Sequence, residues 1–369
     1  MELKVQNLIT TDLNWRKTLE ELFITIKEDE NYILLKYGIT ANFANPIVQE
    51  CRGLILNKYT WEVVCHSFDK FGNFGESYAP EIDWATARCQ AKMDGSLIKV
   101  WHDKGRWHVS TNGTIDAYKA ELHQSDLATG DYPYHTFGDL FDAARQRQLP
   151  SYNHLNPDCT YSFELCSKYN KVVCQYDEPT IYHIGTRNNK TNEENNPDIG
   201  VQKPIEYPLH SLQDCIEAAA HLSHNEEGYV VVDANWNRIK VKSPTYIAAH
   251  YMKSNGQVSL KGLLQYYRAG DLDEFVTYAP EYAPAVTKLY KLLNALKEEL
   301  RTTMTESKYK AYPRKDFALA VKESGTRYPD YCFKWYDGIG YTPERYLEEL
   351  SFERFFKIVE ARWTEIKNN

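Results

Sequence analysis

Hydrophobic and polar positions along this 369-residue chain follow two periods. From about Gly53 to Lys242, short apolar runs alternate with turn-forming clusters, as strands of an antiparallel sheet do; the remainder reads as helices. Three pairs of runs predict hairpins. Gly53 to Leu56 and Trp61 to Cys65 flank NKYT, Leu97 to Trp101 and Trp107 to Ser110 flank HDKGR, and Tyr229 to Val232 and Arg238 to Lys242 flank DANWN. Tyr161 to Leu165 and Ile181 to Gly185 add two strands, and the polar run RNNKTNEENNPD after them predicts an exposed, mobile loop.

After Pro244 the strand pattern stops, and Val286, Leu289, Leu293, Leu296 and Leu300 recur at helical spacing. Leu347, Leu350, Phe355, Val359 and Trp363 repeat that pattern near the end, with Gly325 to Tyr341, rich in Gly, Tyr and Pro, expected as an irregular connection. The expected fold class is α+β: an antiparallel-sheet domain over residues 1–243, then an all-helical C-terminal domain over residues 244–369.

Composition narrows the function without naming it. Hydrophobic residues at 43% and charged residues at 25% fit a water-soluble protein, and the length exceeds what one core usually serves. The N-terminal MELKVQNLITTDLNWRK lacks a basic stretch followed by an apolar run, and no window nears the ~20 apolar residues of a membrane span. A cytoplasmic, membrane-free and monomeric protein is expected. Cysteines 51, 65, 89, 159, 166, 174, 215 and 332 show neither CxxC pairs nor zinc-finger spacing, so they read as reduced structural thiols. A net charge of −8 confines any nucleic-acid site to a local groove.

The sharpest chemical signal is Lys92-Met93-Asp94-Gly95-Ser96, which offers an amine beside a bend. A lysine acts as a nucleophile only when unprotonated, so other cations or a desolvated pocket are expected around it. In Arg238-Ile239-Lys240-Val241-Lys242 the period of a strand puts three basic residues on one face and Ile239 and Val241 toward the core. Two lysines so spaced suit a phosphate and are expected to depress the pKa of a third lysine nearby. A surface turn and a solvated basic strand are the bland alternatives for these two segments.

The ordered series KMDGS, TYSFELCSKYNKVV, IYHIGTR, EEGYVVV and IKVKS resembles the nucleotidyltransferase motifs of the covalent ligase and capping-enzyme superfamily. Upstream, QECRGLIL and FDKFGNFGE resemble segments of the phage-type ATP-dependent RNA ligase 1 family, and the likeness runs from roughly Tyr37 to Tyr246. It implies an ATP-grasp-like adenylation domain that joins RNA 5′-phosphate and 3′-hydroxyl ends through a lysyl-AMP intermediate, with cleaved tRNA as one substrate. Lys92 is then the nucleophile, and Lys240 and Lys242 are phosphate-binding cations. Arg52 and Lys70 contact the triphosphate, Glu164 and Glu227 contact the ribose or the waters of Mg²⁺ or Mn²⁺, and Asp94 orients Lys92 or that hydrated metal. Gly95 makes the bend, Tyr37 and Tyr246 cover the adenine, and Arg187 with Tyr182 stands near the nucleotide pocket.

Two departures qualify the likeness. DNA ligases and capping enzymes usually carry an arginine two positions after the glycine, where this chain has Leu97 preceded by Ser96; the RNA ligase branch is favoured over a DNA ligase, a capping guanylyltransferase or a non-catalytic RNA-binding protein with a vestigial core. In STNGTI, Asn112 stands where relatives often carry a basic residue, leaving one phosphate contact to be lost or supplied by Lys104 or Lys119.

Overall fold

The structure, a computed structural model, describes residues 2–38, 41–122, 133–170, 174, 176–223, 225–243, 260–269, 272, 282–303, 307–338 and 341–365. The chain divides into two compact units, Met1–Lys253 and Ser254–Asn369. Tyr246 and the expected boundary after residue 243 lie against or within a stretch outside the described residues.

The first unit is built on three antiparallel sheets, each covered by helices. Sheet 1 has the order β1 (Ile24–Glu28), β2 (Tyr32–Tyr37), β3 (Arg52–Asn57) and β4 (Val63–Cys65). Helices α1 (Lys4–Thr11), α2 (Trp15–Glu21) and α3 (Pro46–Glu50) close one face of it around Val5, Leu19, Ile33, Leu35 and Val48. Sheet 2 runs β10 (Glu194–Asn195), β9 (Thr180–Asn188), β8 (Cys159–Cys166), β6 (Ser96–Asp103), β7 (Arg106–Thr111). Its outer face, with Ile98, Val100 and Phe163, packs on Leu140 and Phe141 of α4 (Phe137–Arg145). Sheet 3 runs β11 (Glu206–Tyr207), β5 (Arg88–Ala91), β12 (Gly228–Val232), β13 (Arg238–Lys242), and its core face meets Cys215 and Ala219 of α5 (Leu212–Ala220). Sheets 1 and 2 meet through Tyr32, Leu34, Ile55 and Trp101.

All three predicted hairpins form, as β3–β4, β6–β7 and β12–β13. The expected strands are also present within β8 and β9. Two expectations are corrected. Residues before Gly53 contain strands β1 and β2 as well as helices. The polar run after β9 is not a plain exposed loop, because Glu194 and Asn195 pair with Arg187 and Thr186 as β10, and the Glu194 side chain is buried.

The second unit is helical among its described residues: α6 (Leu260–Ala269), α7 (Ala283–Thr302), α8 (Arg314–Ser324), α9 (Pro329–Asp337), α10 (Pro343–Glu349) and α11 (Phe352–Glu365). Val286, Leu289, Leu293, Leu296 and Leu300 line the buried stripe of α7, as their spacing predicts. The Gly325 to Tyr341 stretch is not an irregular connection throughout. Gly325 ends α8 in a left-handed conformation, Pro329 opens α9 in its first turn, and Tyr331 and Cys332 bury one side of that helix. Arg268 closes the end of α10 by donating to the carbonyls of Leu347 and Leu350 at 3.1 and 2.8 Å.

Candidate active site

Lys92 follows β5 directly, and its amide donates to the Gly228 carbonyl at 2.8 Å, so strand pairing with β12 extends one residue further. That pairing brings Lys92 beside Glu227, the residue before β12. Gly228 is required there: its φ is +139°, and a Cβ would lie 2.2 Å from the Val241 carbonyl oxygen. Gly95 has the same role on the other side, since a Cβ would stand 2.4 Å from the Leu165 carbonyl oxygen. The bend after Lys92 therefore packs against the end of β8, next to Glu164. Asp94 is buried between them; its Oδ2 accepts from the Cys174 amide at 2.7 Å and its own amide donates to the Tyr176 oxygen at 3.3 Å.

Charge is concentrated at this junction. The Lys92 ammonium donates to Glu227 Oε2 at 2.6 Å, and Lys242 Nζ stands 3.5 Å from Glu227 Oε1. Burial pulls the Lys92 pKa down and Lys242 repels its charge, but the Glu227 and Glu164 carboxylates outweigh both and hold the ammonium above the ordinary lysine range. This corrects the expectation that neighbouring cations depress Lys92, because a carboxylate stands between the two lysines. Burial raises the Glu227 carboxyl against the pull of Lys92 and Lys242. Burial also pushes half-buried Glu164 up to about 7, against the attraction of Lys92 and Arg52. Across β9, Tyr182 pairs directly with Glu164, which places both side chains on one face of sheet 2.

A second group of cations is organised by aromatic rings. Gly72 accepts from the Lys240 amide at 3.0 Å and the Phe74 amide donates to Lys240 at 2.9 Å, so the FGNF segment lies along β13. Phe71 consequently meets both Arg52 and Lys240, whose charged groups lie 5.3 and 5.2 Å from its ring centre. The Lys70 ammonium stands 4.8 Å from the Phe43 ring and 5.8 Å from that of Tyr37, which packs edge-on against Phe43. The structure thus brings Lys92, Asp94, Glu164, Glu227 and Lys242 together, and seats Arg52 with Lys240 and Lys70 with Tyr37 on flanking aromatic rings.

Two arginines serve the scaffold instead. Arg238 was expected on the phosphate-facing side of β13 with Lys240 and Lys242; it is buried, pairs with Glu194 and lies 4.3 Å over Phe68. Its position at the start of the strand, where β10 passes, decides this. Arg187 pairs with the same Glu194, with Asp69 at 3.2 Å and with His66 Nδ1 at 2.9 Å, and is enclosed by them. Neither lysine expected to stand in at Asn112 does so. Lys104 sits at the opposite end of the β6–β7 hairpin, donating to Asn31 at 2.6 Å, and the exposed Lys119 ammonium lies 3.9 Å from Asp116. Sequence reasoning passed over Phe71, Cys174 and Tyr176. Phe71 stands in FDKFGNFGE, but the cations a ring meets are set by strand packing, and the other two act through contacts distant in sequence.

Comparison with known proteins gives this geometry a family. A protein of Autographa californica nuclear polyhedrosis virus, described as a bifunctional polynucleotide kinase/RNA ligase, is 36% identical over 262 residues. That alignment covers 67% of this chain but 37% of the viral protein, so the chain spans little more than a third of that relative's length. An RNA ligase of Rhodothermus phage RM378 is 25% identical over 350 residues, covering 78% of each chain. An archaeal ATP-dependent RNA ligase structure aligns with a TM-score of 0.47 and 14% identity over 78% of this chain and 79% of that one. The RNA ligase family model of the T4 RNA ligase 1 type matches residues 50–246, more than half of the chain and the whole span from Arg52 to Lys242, and the chain belongs to that family.

Proposed function

We propose that this chain is an ATP-dependent RNA ligase: it transfers AMP from ATP to Lys92, passes it to an RNA 5′-phosphate, and seals that end to a 3′-hydroxyl. The observation that carries the reading is Lys92 hydrogen-bonded to Glu227, with Lys242 on the same carboxylate and Glu164 alongside. The Lys92 ammonium first gives one proton to Glu227 Oε2, which already accepts from it; the free amine then attacks the α-phosphorus, forming the N–P bond and breaking the bond to pyrophosphate, and the second proton shed by nitrogen leaves on the pyrophosphate oxygens. Lys242, Lys240, Arg52 and Lys70 are the cations that hold the triphosphate, and Tyr37 and Tyr246 the rings for adenine.

The acidic groups suit a divalent ion held through water. Among the described residues no three His, Cys, Asp or Glu side chains form a direct metal cage, and Asp94 Oδ2 already accepts an amide. Mg²⁺ keeps several waters and binds substrate phosphates, so Glu164, Glu227 and Asp94 would hold Mg²⁺ or Mn²⁺ by its waters. Bound there, the ion supplies charge neutralisation at the phosphate oxygens.

In this reading residues 1–243 form the adenylation domain, and the helical remainder recognises folded RNA such as cleaved tRNA. Eight free, buried thiols support a reducing, cytoplasmic setting, and no helix among the described residues is long and apolar enough to cross a membrane. The test is incubation with ATP labelled at the α-phosphate and Mg²⁺: a covalent label lost on treatment with acid and absent from Lys92→Ala is expected. A label of equal strength in that variant sinks the assignment, and joining of RNA but not DNA ends separates this ligase from its DNA-joining relatives.

A further inference from the structure

A buried cation outside the chemistry above lies one rung of sheet 2 from Glu164. Along β6, Leu97 pairs with Glu164 and Lys99 pairs with Ser162, so strand alternation turns Lys99 toward sheet 1 while Ile98 and Val100 face the α4 core. Lys99 is fully buried, and among the described residues it pairs with no carboxylate; the charge beside it is that of Arg52, another cation, while burial raises the pKa of the neighbouring Cys65 thiol and keeps it neutral. Such an uncompensated ammonium is expensive to bury. Its Nζ donates to the carbonyl of Gly53, the residue after Arg52.

Gly53 is held in a left-handed conformation with φ +69°, and a Cβ there would lie 2.6 Å from both the carbonyl and side-chain oxygens of Asn112 and 3.0 Å from Lys99 Nζ. The backbone of β3 is therefore clamped between Lys99 and Asn112 at the point where Arg52 leaves it. In the same corner Arg52 Nη1, Asn112 Oδ1 and Ser162 Oγ are buried with no hydrogen-bond partner among the described residues. A guanidinium with an unused, buried donor next to a second cation is a site short of an anion.

We propose that Lys99 is a positioning residue for the triphosphate: by holding the Gly53 carbonyl it fixes the direction in which Arg52 presents its guanidinium to a phosphate. The proposal rests on the ligase reading above. It also identifies which lysine serves the corner occupied by Asn112: the ammonium reaches it from β6, across the hairpin, and not from Lys104 or Lys119. Because only the adenylylation step uses a triphosphate, the two halves of the reaction respond differently to its loss.

The test compares Lys99→Met with the unaltered full-length protein in two assays: the ATP concentration needed for half-maximal self-adenylylation, and the sealing of RNA already carrying a 5′-adenylate. The expected result is a rise of about tenfold in the ATP requirement with sealing changed less than about twofold. In a cycle with Arg52→Gln the two substitutions are expected to be strongly non-additive on the ATP requirement. Equal losses in both assays, or additive effects with Arg52→Gln, overturn the proposal by making Lys99 a general structural support. Lys99→Gln is the second variant if methionine prevents folding, and failure of both to fold also overturns it. Absence of adenylylation and sealing in the unaltered protein sinks the ligase reading itself, an outcome distinct from any of these.

Discussion

Lys92 and Glu227 form an ion pair with 2.6 Å between Nζ and Oε2, enclosed so that 20% of the lysine side chain and 5% of the glutamate remain exposed. An amine so held is protected from reaction until its proton leaves, which ties the nucleophile's activation to whatever draws Glu227 away or takes up the proton. Ligand phosphates and a divalent ion would do both.

Glu227→Gln removes the main group that holds Lys92 charged. Burial and the repulsion from Lys242 then act unopposed except by Glu164, and the Lys92 pKa falls. The reactive, unprotonated amine is therefore expected to appear at lower pH than in the native protein. The measurement is the pH dependence of Lys92 acylation by a small amine-directed reagent, followed by mass spectrometry without ATP. A Gln variant whose profile overlays that of the native protein would contradict the ion-pair account.

Glu164 adds a pH dependence of opposite origin. Its carboxyl is raised to about 7 in the folded protein, chiefly by burial. A folded pKa above the unfolded one gives stability that is complete below the unfolded carboxylate range and is lost as pH rises through 7. Glu164→Gln should therefore match the native protein near pH 4.5 and exceed it near pH 8 by about 2 kcal/mol, the shift being discounted for partial exposure. Urea denaturation at the two pH values reads this directly, and a difference independent of pH would refute it.

Much of this arrangement is legible in the chain itself. The β12–β13 hairpin, with Ile239 and Val241 buried and Lys240 and Lys242 on the other face, follows from a period of two. What escaped has physical reasons. In β2 the neighbours Ile33 and Leu35 face one core while Tyr32 and Leu34 face another, so no polar alternation marks the strand. In α9 the Pro and Tyr residues that read as loop provide a first-turn proline and a buried face. The net direction of the Lys92 pKa is not legible in the chain, because spacing places cations on a face but does not say which carboxylate folds between them.

The two close-approach glycines make a structural prediction separate from the chemistry. Gly228→Ala forces a Cβ to within 2.2 Å of Val241 O and Gly95→Ala to within 2.4 Å of Leu165 O, contacts with backbone that cannot rotate away. Each should cost about 2–4 kcal/mol in denaturant unfolding. Gly105, where a Cβ would meet nothing within 4 Å but φ is +76°, should cost only about 1 kcal/mol as alanine. Losses at Gly228 and Gly95 no larger than that at Gly105 would show that the close backbone approach at the Lys92 bend does not set the penalty.

Glu194 is the last and most severe case, because one carboxylate answers two buried guanidiniums. Its side chain is 6% exposed, and those of Arg187 and Arg238 are 7% and 8% exposed. Removing one partner of a buried pair leaves an uncompensated charge and costs about 3–5 kcal/mol. Asp69 at 3.2 Å continues to serve Arg187 in a Glu194→Ala protein, whereas the salt bridges of Arg238 all run to Glu194 among the described residues. The loss should therefore be recovered in large part by Glu194→Ala combined with Arg238→Met, which removes the stranded cation while keeping its packing against Phe68. Exposed Asn195→Ala on the same short strand should change stability by less than about 0.5 kcal/mol. Thermal and urea unfolding of the four proteins decides the matter: a double variant no more stable than Glu194→Ala alone would mean that Glu194 acts by holding β10 in place and not by neutralising Arg238.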